Sequence, residues 1–285
     1  MLLFKNKKSF KVKRTKRMEI KKNINIKHDY KNEILWIEIG SDDELFYSYE
    51  TICNFYDSLD SIKNIIETKK LTHVFFKSSS KKVWSMGGDL EMFLNCIKNN
   101  DVHQLRDYAY KCVKIVCDIN NGFRTNAIVV SILQGNAFGG GFECALSTHY
   151  ILAEEHVKFS FPESLFGTFP GMGAYSLLTR KVGFFKSHEM INSSQKWDAH
   201  ELFNLKLVTH IAKTQKGIAD AIDLKSKNIF TSKNQFETVC SKLKVDELIE
   251  IVDIWINQVM SLDTNKIEFM RKLIDAQKKR TVFQI

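Results

Sequence analysis

The sequence lacks the patterns that mark several common protein classes. Its six cysteines form no CxxC pair and no regular spacing, which argues against a disulfide framework or a zinc site. No stretch approaches the roughly 18 to 20 consecutive apolar residues of a membrane helix, and no secretory signal begins the chain. The eight histidines form no HExxH pair, and no GxSxG motif occurs. These absences predict a soluble, cytoplasmic protein without a metal site.

The positive charge of the chain is confined to one end. Ten of the 42 Lys and Arg residues, but only one of the 33 Asp and Glu residues, lie in residues 1–22, so the remainder carries 32 of each. A basic segment of this kind can bind nucleic acid, an anionic membrane or an acidic protein, or be a solvated extension. Phe4 and Phe10 are isolated within it, which disfavours base stacking. We predict a flexible basic tail over residues 1–24 that does not bind nucleic acid.

Strand and helix patterns alternate through the first two thirds of the chain. Apolar runs predict strands at Ile34–Ile39, His73–Phe76, Ala127–Leu133, Tyr150–Ala153 and Leu207–Ile211, and longer periodic stretches predict helices at residues 49–67, 89–98, 102–121 and 142–147. From Gly173 onward the pattern is mainly helical. This order predicts an α/β fold with a helical extension at its C-terminal end.

Two glycine clusters lie where a loop leads into a helix. Gly139–Gly141 follows the most apolar strand, and Gly87–Gly88 precedes Asp89, which we expect to cap a helix. Two such junctions can each direct one backbone N–H at the same carbonyl oxygen, as an enolate or a tetrahedral oxyanion requires. The spacing in GNAFGGG does not match a GxGxxG dinucleotide motif, and no GK[ST] follows. A tight turn without a ligand is the alternative.

Two glutamates are distinguished by their neighbours. The only two prolines, Pro162 and Pro170, predict a restricted, non-helical loop that presents Glu163. Glu143 has apolar neighbours, and a carboxyl in an apolar pocket has a raised pKa that suits it to acid or base catalysis near neutral pH. The alternatives are a solvated Glu163 and a Glu143 neutralised by a lysine.

These motifs together resemble the crotonase superfamily of enoyl-CoA hydratases and isomerases. The resemblance rests on GNAFGGGFE at residues 135–143, FPESLFGTFPGMG at residues 161–173 and GGD at residues 87–89, and it covers about residues 34–213. It implies a crotonase-like ββα spiral core over residues 25–213, with a C-terminal helical region over residues 214–285 that covers the acyl pocket. It also implies backbone oxyanion donors at Gly88 and Gly140 and catalytic carboxyls at Glu143 and Glu163. Because both glutamates are present, it favours hydration or dehydration over isomerisation.

Within that superfamily, residues 83–90, 169–173 and 255–280 are most similar to the RpfF-type diffusible-signal-factor synthases. This resemblance implies dehydration of a 3-hydroxyacyl group on acyl carrier protein, then hydrolysis to a cis-2-unsaturated fatty acid for quorum sensing. It implies an acyl-chain pocket at Met172, Trp255 and Leu273. The substrate would be carried on the phosphopantetheine of acyl carrier protein or CoA, with no other cofactor.

The same resemblance implies protein partners and leaves two alternative functions open. The superfamily resemblance implies a trimer-based homo-oligomer, and the signal-synthase resemblance implies an interaction with the receiver domain of a cognate sensor kinase. One alternative is an enoyl-CoA hydratase of fatty-acid catabolism, which has the same site and a CoA substrate. The other is an inactive crotonase-fold binding protein.

Overall fold

The computed structural model of the protein describes residues 17–80, 83–232 and 240–282. The strands are β1 (Arg17–Lys21), β2 (Ile24–Asp29), β3 (Ile34–Ile39), β4 (His73–Ser78), β5 (Ile128–Leu133), β6 (Ala137–Phe138), β7 (Tyr150–Glu154), β8 (Lys158–Ser160), β9 (Lys196–Asp198) and β10 (His210–Ala212). The helices are α1 (Tyr49–Lys69), α2 (Leu90–Asn99), α3 (Val102–Asn120), α4 (Gly140–Ser147), α5 (Ala174–Val182), α6 (Phe184–Asn192), α7 (Ala199–Asn204), α8 (Gly217–Ser226), α9 (Val245–Met260) and α10 (Thr264–Val282). Single 3₁₀ turns occur at Gly122–Arg124 and Glu163–Phe166.

The main sheet has seven strands in the order β1-β2-β3-β4-β5-β7-β10. The first three strands pair antiparallel, and β3, β4, β5, β7 and β10 pair parallel, each with its neighbour. Parallel neighbours require long connections, and here α1 crosses from β3 to β4 while α2 and α3 cross from β4 to β5. All six residues of β5 are buried, as expected for a central strand covered on both faces. The α/β fold predicted from the sequence is confirmed.

Two segments differ from their predictions. Arg17–Lys21, which we placed in a flexible tail, pairs antiparallel with β2, and Ile24 and Ile26 of β2 are buried. The alternation of these isoleucines with polar residues is a strand pattern that the neighbouring lysines obscured; residues 1–16 lie outside the described residues. The strand predicted at Leu207–Ile211 begins at His210 instead. Leu207 and Val208 both donate a backbone hydrogen bond to Leu202 O, which ends α7 and prevents pairing with β7.

Helices α1, α2 and α3 each start with an N-cap residue whose side chain accepts a backbone hydrogen bond. Ser48 caps α1 by accepting a hydrogen bond from Thr51 N, and Asp101 caps α3 in the same way. Asp89 caps α2, as predicted, and its carboxylate accepts a hydrogen bond from Met92 N at 2.9 Å. These caps satisfy amides that have no partner within their own helix, so the three helices start at defined positions beside the sheet.

The C-terminal helices belong to the same core as the sheet. Helix α9 packs against α3, and α10 packs against α2 and the 3₁₀ turn Glu163–Phe166. Trp255, Val259 and Met270 join the large apolar cluster that fills the space between α1, α3 and the sheet. The helices in the described parts of the chain include none whose length and apolar character would allow it to cross a membrane.

Candidate active site

The glycine-rich junction lies where β6 enters α4. Gly139 has a φ of 51°, and its amide donates to Ser160 O of β8 at 2.9 Å. A Cβ on Gly139 would collide with Glu163 Oε1, and a Cβ on Gly140 would collide with Met172 Cε. The positive φ favours glycine at position 139, and a side chain at either position would displace Glu163 or Met172. The Gly140 amide opens α4 and has no acceptor within that helix.

The second glycine junction lies directly beside the first. Phe138 N donates to Ser85 O at 2.9 Å, which joins the loop before α2 to the loop before α4. As a result, a Cβ built on Gly140 would lie only 3.6 Å from Gly88 N. Within the described residues, neither the Gly88 nor the Gly140 amide has a recorded protein acceptor. The structure thus brings the two predicted donors together, and their role as an oxyanion hole stays a prediction.

Glu143 lies one helical turn into α4 and is buried, with 1% of its surface exposed. Its Oε1 accepts hydrogen bonds from Met172 N at 2.8 Å and Ala174 N at 2.9 Å. Burial raises the pKa of the Glu143 carboxyl to about 7, although these amides act in the opposite direction. No lysine or arginine among the described residues forms an ion pair with it. Its carboxyl can therefore change protonation state near neutral pH.

Glu163 begins the 3₁₀ turn that follows Pro162. Its Oε1 faces Gly139, and its Oε2 is buried without a hydrogen-bond partner among the described residues. Burial, followed by the nearby carboxyl of Glu143, raises the pKa of Glu163 well above its usual range. The arrangement favours a neutral Glu163 beside an ionisable Glu143, since two buried carboxyls that share a site do not both ionise readily.

One cavity of about 50 Å³ connects these groups. Its walls include Gly88, Gly140, Glu143, Glu163, Met172 and Trp255. A volume of this size accommodates on the order of four water molecules, which leaves room for the reacting end of a substrate. Six of the seven predicted site residues therefore meet at one place.

Leu273, the seventh predicted residue, is partly buried on α10 and packs against the main apolar cluster. It is not among the residues that line the cavity. Sequence reasoning did not single out Phe93, Tyr108 or Thr168, which do line it. Phe93 and Tyr108 lie on the buried faces of α2 and α3, where the sequence shows only an ordinary core pattern. No local motif marks them, because their position depends on how the helices pack.

Known proteins resemble this chain in both sequence and fold. The family model for enoyl-CoA hydratase/isomerase matches residues 49–271. The mitochondrial enoyl-CoA hydratase of Pongo abelii is 35% identical over 105 residues, which cover 37% of this chain and 36% of that protein. A probable enoyl-CoA hydratase of Rhizobium meliloti is 34% identical over 94 residues, which cover 33% of this chain and 37% of that protein. The alignments thus span little more than a third of the length of these curated relatives.

Solved structures extend the likeness to nearly the whole chain. The enoyl-CoA hydratase from Bacillus halodurans superposes with a TM-score of 0.73 at 18% identity, covering 88% of this chain and 99% of that one. DspI from Pseudomonas aeruginosa superposes with a TM-score of 0.62 at 17% identity, covering 90% of each chain. At these identities the likeness shows the fold alone, and it confirms the predicted crotonase fold with its helical C-terminal region. Because the family model matches most of its length, the chain belongs to the enoyl-CoA hydratase/isomerase family of the crotonase superfamily.

Proposed function

We propose that this protein adds water to, or removes it from, the C2–C3 bond of an acyl thioester. The observation that carries this proposal is the meeting, in one buried cavity, of two neighbouring backbone amides and two carboxyls. If the thioester carbonyl lies between the amides of Gly88 and Gly140, the two amides would stabilise the enolate that forms from it. Removing one such donor typically costs about 10²- to 10³-fold in rate. The carboxyls of Glu143 and Glu163 would then move the protons.

The electrostatics suggest how the two carboxyls divide the work. In the hydration direction, ionised Glu143 takes a proton from the water that attacks C3, and protonated Glu163 delivers its proton to C2 of the enolate. Dehydration runs the same steps in reverse: Glu163 takes the C2 proton, and Glu143 protonates the departing hydroxyl. Each proton transfer contributes about 10²- to 10⁴-fold.

The finer proposal is that the substrate is a 3-hydroxyacyl group on acyl carrier protein, and that the product is released as a cis-2-unsaturated fatty acid. Met172 and Trp255, which resemble acyl-pocket positions of signal synthases, both line the cavity. Hydrolysis can use the same oxyanion donors, with a carboxylate activating water. The receiver-domain partner, the trimer-based oligomer and the cytoplasmic location stay predictions.

An enoyl-CoA hydratase acting on trans-2-enoyl-CoA is the second candidate. It is favoured by the names of the curated relatives, which are enoyl-CoA hydratases. An inactive binding protein is disfavoured, because such a protein has no need to bury two carboxyls without cationic partners.

The test is mass spectrometry of the free fatty acids released from 3-hydroxyacyl carrier protein, beside a hydration assay with trans-2-enoyl-CoA. The variants are Glu143→Gln and Glu163→Gln. Glu154→Gln is the matched control, because Glu154 is equally buried and accepts bonds from two backbone amides, Gln215 N and Gly217 N, outside the cavity.

We expect both site variants to lose about 10²- to 10⁴-fold in rate and the control to lose far less. Release of a cis-2-enoic acid supports the signal-synthase proposal. Hydration of enoyl-CoA without acid release supports the second candidate. Activity that survives in both site variants would contradict the proposed role of the carboxyls.

A further inference from the structure

The Gly88 amide lies in a loop whose shape depends on the segment before α1. Met86 N donates to Leu45 O at 2.7 Å, and Tyr47 N donates to Gly87 O at 2.8 Å. Gly87 has a φ of 95°, a conformation that favours glycine, and its carbonyl belongs to the same planar peptide unit as the Gly88 N–H. The direction of the Gly88 N–H therefore depends on the position of the Tyr47 backbone.

Tyr108 holds that backbone from the opposite side. Its hydroxyl donates to Tyr47 O at 2.7 Å, so Tyr47 is hydrogen-bonded through its N–H to the Gly87 carbonyl and through its carbonyl to α3. A Cβ on Gly88 would lie 3.5 Å from the Tyr108 hydroxyl. The Tyr108 hydroxyl therefore lies close both to Tyr47, which supports the loop, and to Gly88 within the loop.

The surroundings of Tyr108 leave its side chain little freedom. The residue is 2% exposed, and its ring meets Phe93 edge to face at a centroid distance of 5.5 Å. Burial raises the pKa of the Tyr108 hydroxyl well above its usual value, so the group remains a donor over the whole accessible pH range. A donor that is buried and already bonded to Tyr47 O is well placed to fix backbone geometry and poorly placed to transfer protons.

We propose that Tyr108 is a positioning residue for the oxyanion hole: its hydroxyl, acting through the Tyr47 carbonyl, directs the Gly88 N–H at the substrate carbonyl. This inference rests on the proposed function, because it assumes that Gly88 polarises a thioester carbonyl. A displacement of about 1 Å at a catalytic group costs up to about 100-fold in rate. Loss of the hydroxyl should therefore lower kcat about 10- to 100-fold while KM changes little.

The test compares Tyr108→Phe with Tyr110→Phe in the full chain. Tyr110 lies on the same helix, and its hydroxyl donates to Asp253 at 2.9 Å, away from the cavity. The first readout is kcat and KM for hydration of a short trans-2-enoyl-CoA. The second is the absorption of bound cinnamoyl-CoA, which shifts to longer wavelength when its carbonyl is polarised.

We expect Tyr108→Phe to lower kcat and to reduce the absorption shift, while Tyr110→Phe matches the wild type in both. A merely structural role for the hydroxyl would change the melting temperature and leave the shift of the bound ligand intact. A full shift in Tyr108→Phe would overturn the positioning role alone. If the wild-type protein shifts the absorption of neither cinnamoyl-CoA nor cinnamoyl-acyl carrier protein, the proposed function fails and this inference fails with it.

A second variant keeps the inference testable if Tyr108→Phe does not fold. Glyceric acid in place of Ser48, introduced by nonsense suppression, converts the Tyr47–Ser48 amide into an ester. An ester carbonyl is a weaker hydrogen-bond acceptor, and the Tyr108 side chain is unchanged. The absorption shift should again decrease, and an unchanged shift would overturn the proposal.

Discussion

The cavity has two walls that are held in different ways. The wall formed by the two glycine junctions, which carries Glu143, is joined to its neighbours by backbone hydrogen bonds such as Phe138 N to Ser85 O. The wall formed by residues 163–172, which carries Glu163, rests on side chains of α9 and α10. Gln258 Nε2 donates to Gly167 O at 2.8 Å, and a Cβ on Gly171 would lie 2.6 Å from the ring of Trp255. The carboxyl of Glu143 is therefore fixed by hydrogen bonds, and the carboxyl of Glu163 is fixed mainly by steric contact with the residues around it.

This difference matters for the chemistry of each carboxyl. Two amides hold Glu143 Oε1 and favour its ionised form, whereas Glu163 Oε2 has no partner among the described residues. An unpartnered buried carboxyl retains its proton, because ionisation there lacks compensation. In the hydration direction the second wall thus supplies the acid and the first wall supplies the base, and in dehydration the two roles are reversed.

Gly139→Ala should remove the contribution of the second wall most completely. The new Cβ would collide with Glu163 Oε1, and the φ of 51° disfavours alanine. We expect the hydration rate to fall about as far as in Glu163→Gln, by about 10²- to 10⁴-fold. The double variant that combines Gly139→Ala with Glu163→Gln should be no slower than either single variant. Hydration kinetics of the three variants measure this.

Gly183→Ala is the control for Gly139→Ala. Gly183 also has a positive φ, of 80°, but a Cβ there would meet no atom within 4 Å. It should lose stability and keep its activity. Additive losses in the double variant would show that Gly139→Ala acts by some route other than displacement of Glu163.

The stability of the protein should record the two carboxyls over different pH ranges. The pKa of Glu143 rises from 4.5 to about 7 on folding, so the folded state binds this proton more tightly than the unfolded state. Its contribution to the free energy of unfolding therefore falls as pH rises from about 4.5 to about 7, by on the order of 3 kcal/mol at about 1.4 kcal/mol per pKa unit. For Glu163, whose pKa is also raised by burial and by the Glu143 carboxyl, the contribution falls in the same direction as pH rises.

Urea unfolding of the wild type, Glu143→Gln and Glu163→Gln between pH 5 and pH 9 would separate the two contributions. The stability of Glu163→Gln relative to the wild type should increase as pH rises. Glu143→Gln should gain none beyond about pH 7. If the two difference curves level off at the same pH, the two walls do not hold their carboxyls differently.

The features of the two walls that could be predicted from the sequence are those that short segments of the chain encode. Glycines before a helix, the apolar neighbours of Glu143 and the prolines around Glu163 are features of short segments. Four residues to which these features pointed, Gly88, Gly140, Glu143 and Glu163, line the cavity. Leu273 was assigned by resemblance alone; it packs against the core, and its role in an acyl pocket stays a prediction. Tyr108 was missed because a buried tyrosine on a helix looks like any other core residue until the position of Tyr47 is known.

The hydrogen bond from Gln258 to Gly167 that supports the second wall could not be predicted from the sequence either, because the two residues are separated by 91 positions. Its side chain bonds the residue that ends the 3₁₀ turn of Glu163, and Gly167 there has a φ of 79°. Long-range contacts of this kind depend on the packing of α9, which no pattern within residues 163–173 specifies.

Gln258→Met should produce the smallest effect on the second wall. Methionine has nearly the same length and cannot donate to Gly167 O, so the turn loses one hydrogen bond, worth about 0.5 to 1.5 kcal/mol. We expect the hydration rate to fall by up to about tenfold and the affinity for a bound thioester to change less. Gln195→Met, at an exposed position, is the control and should match the wild type. A rate unchanged in Gln258→Met would mean that the packing of Trp255 against Gly171 holds the wall without this hydrogen bond, since that contact remains in the variant.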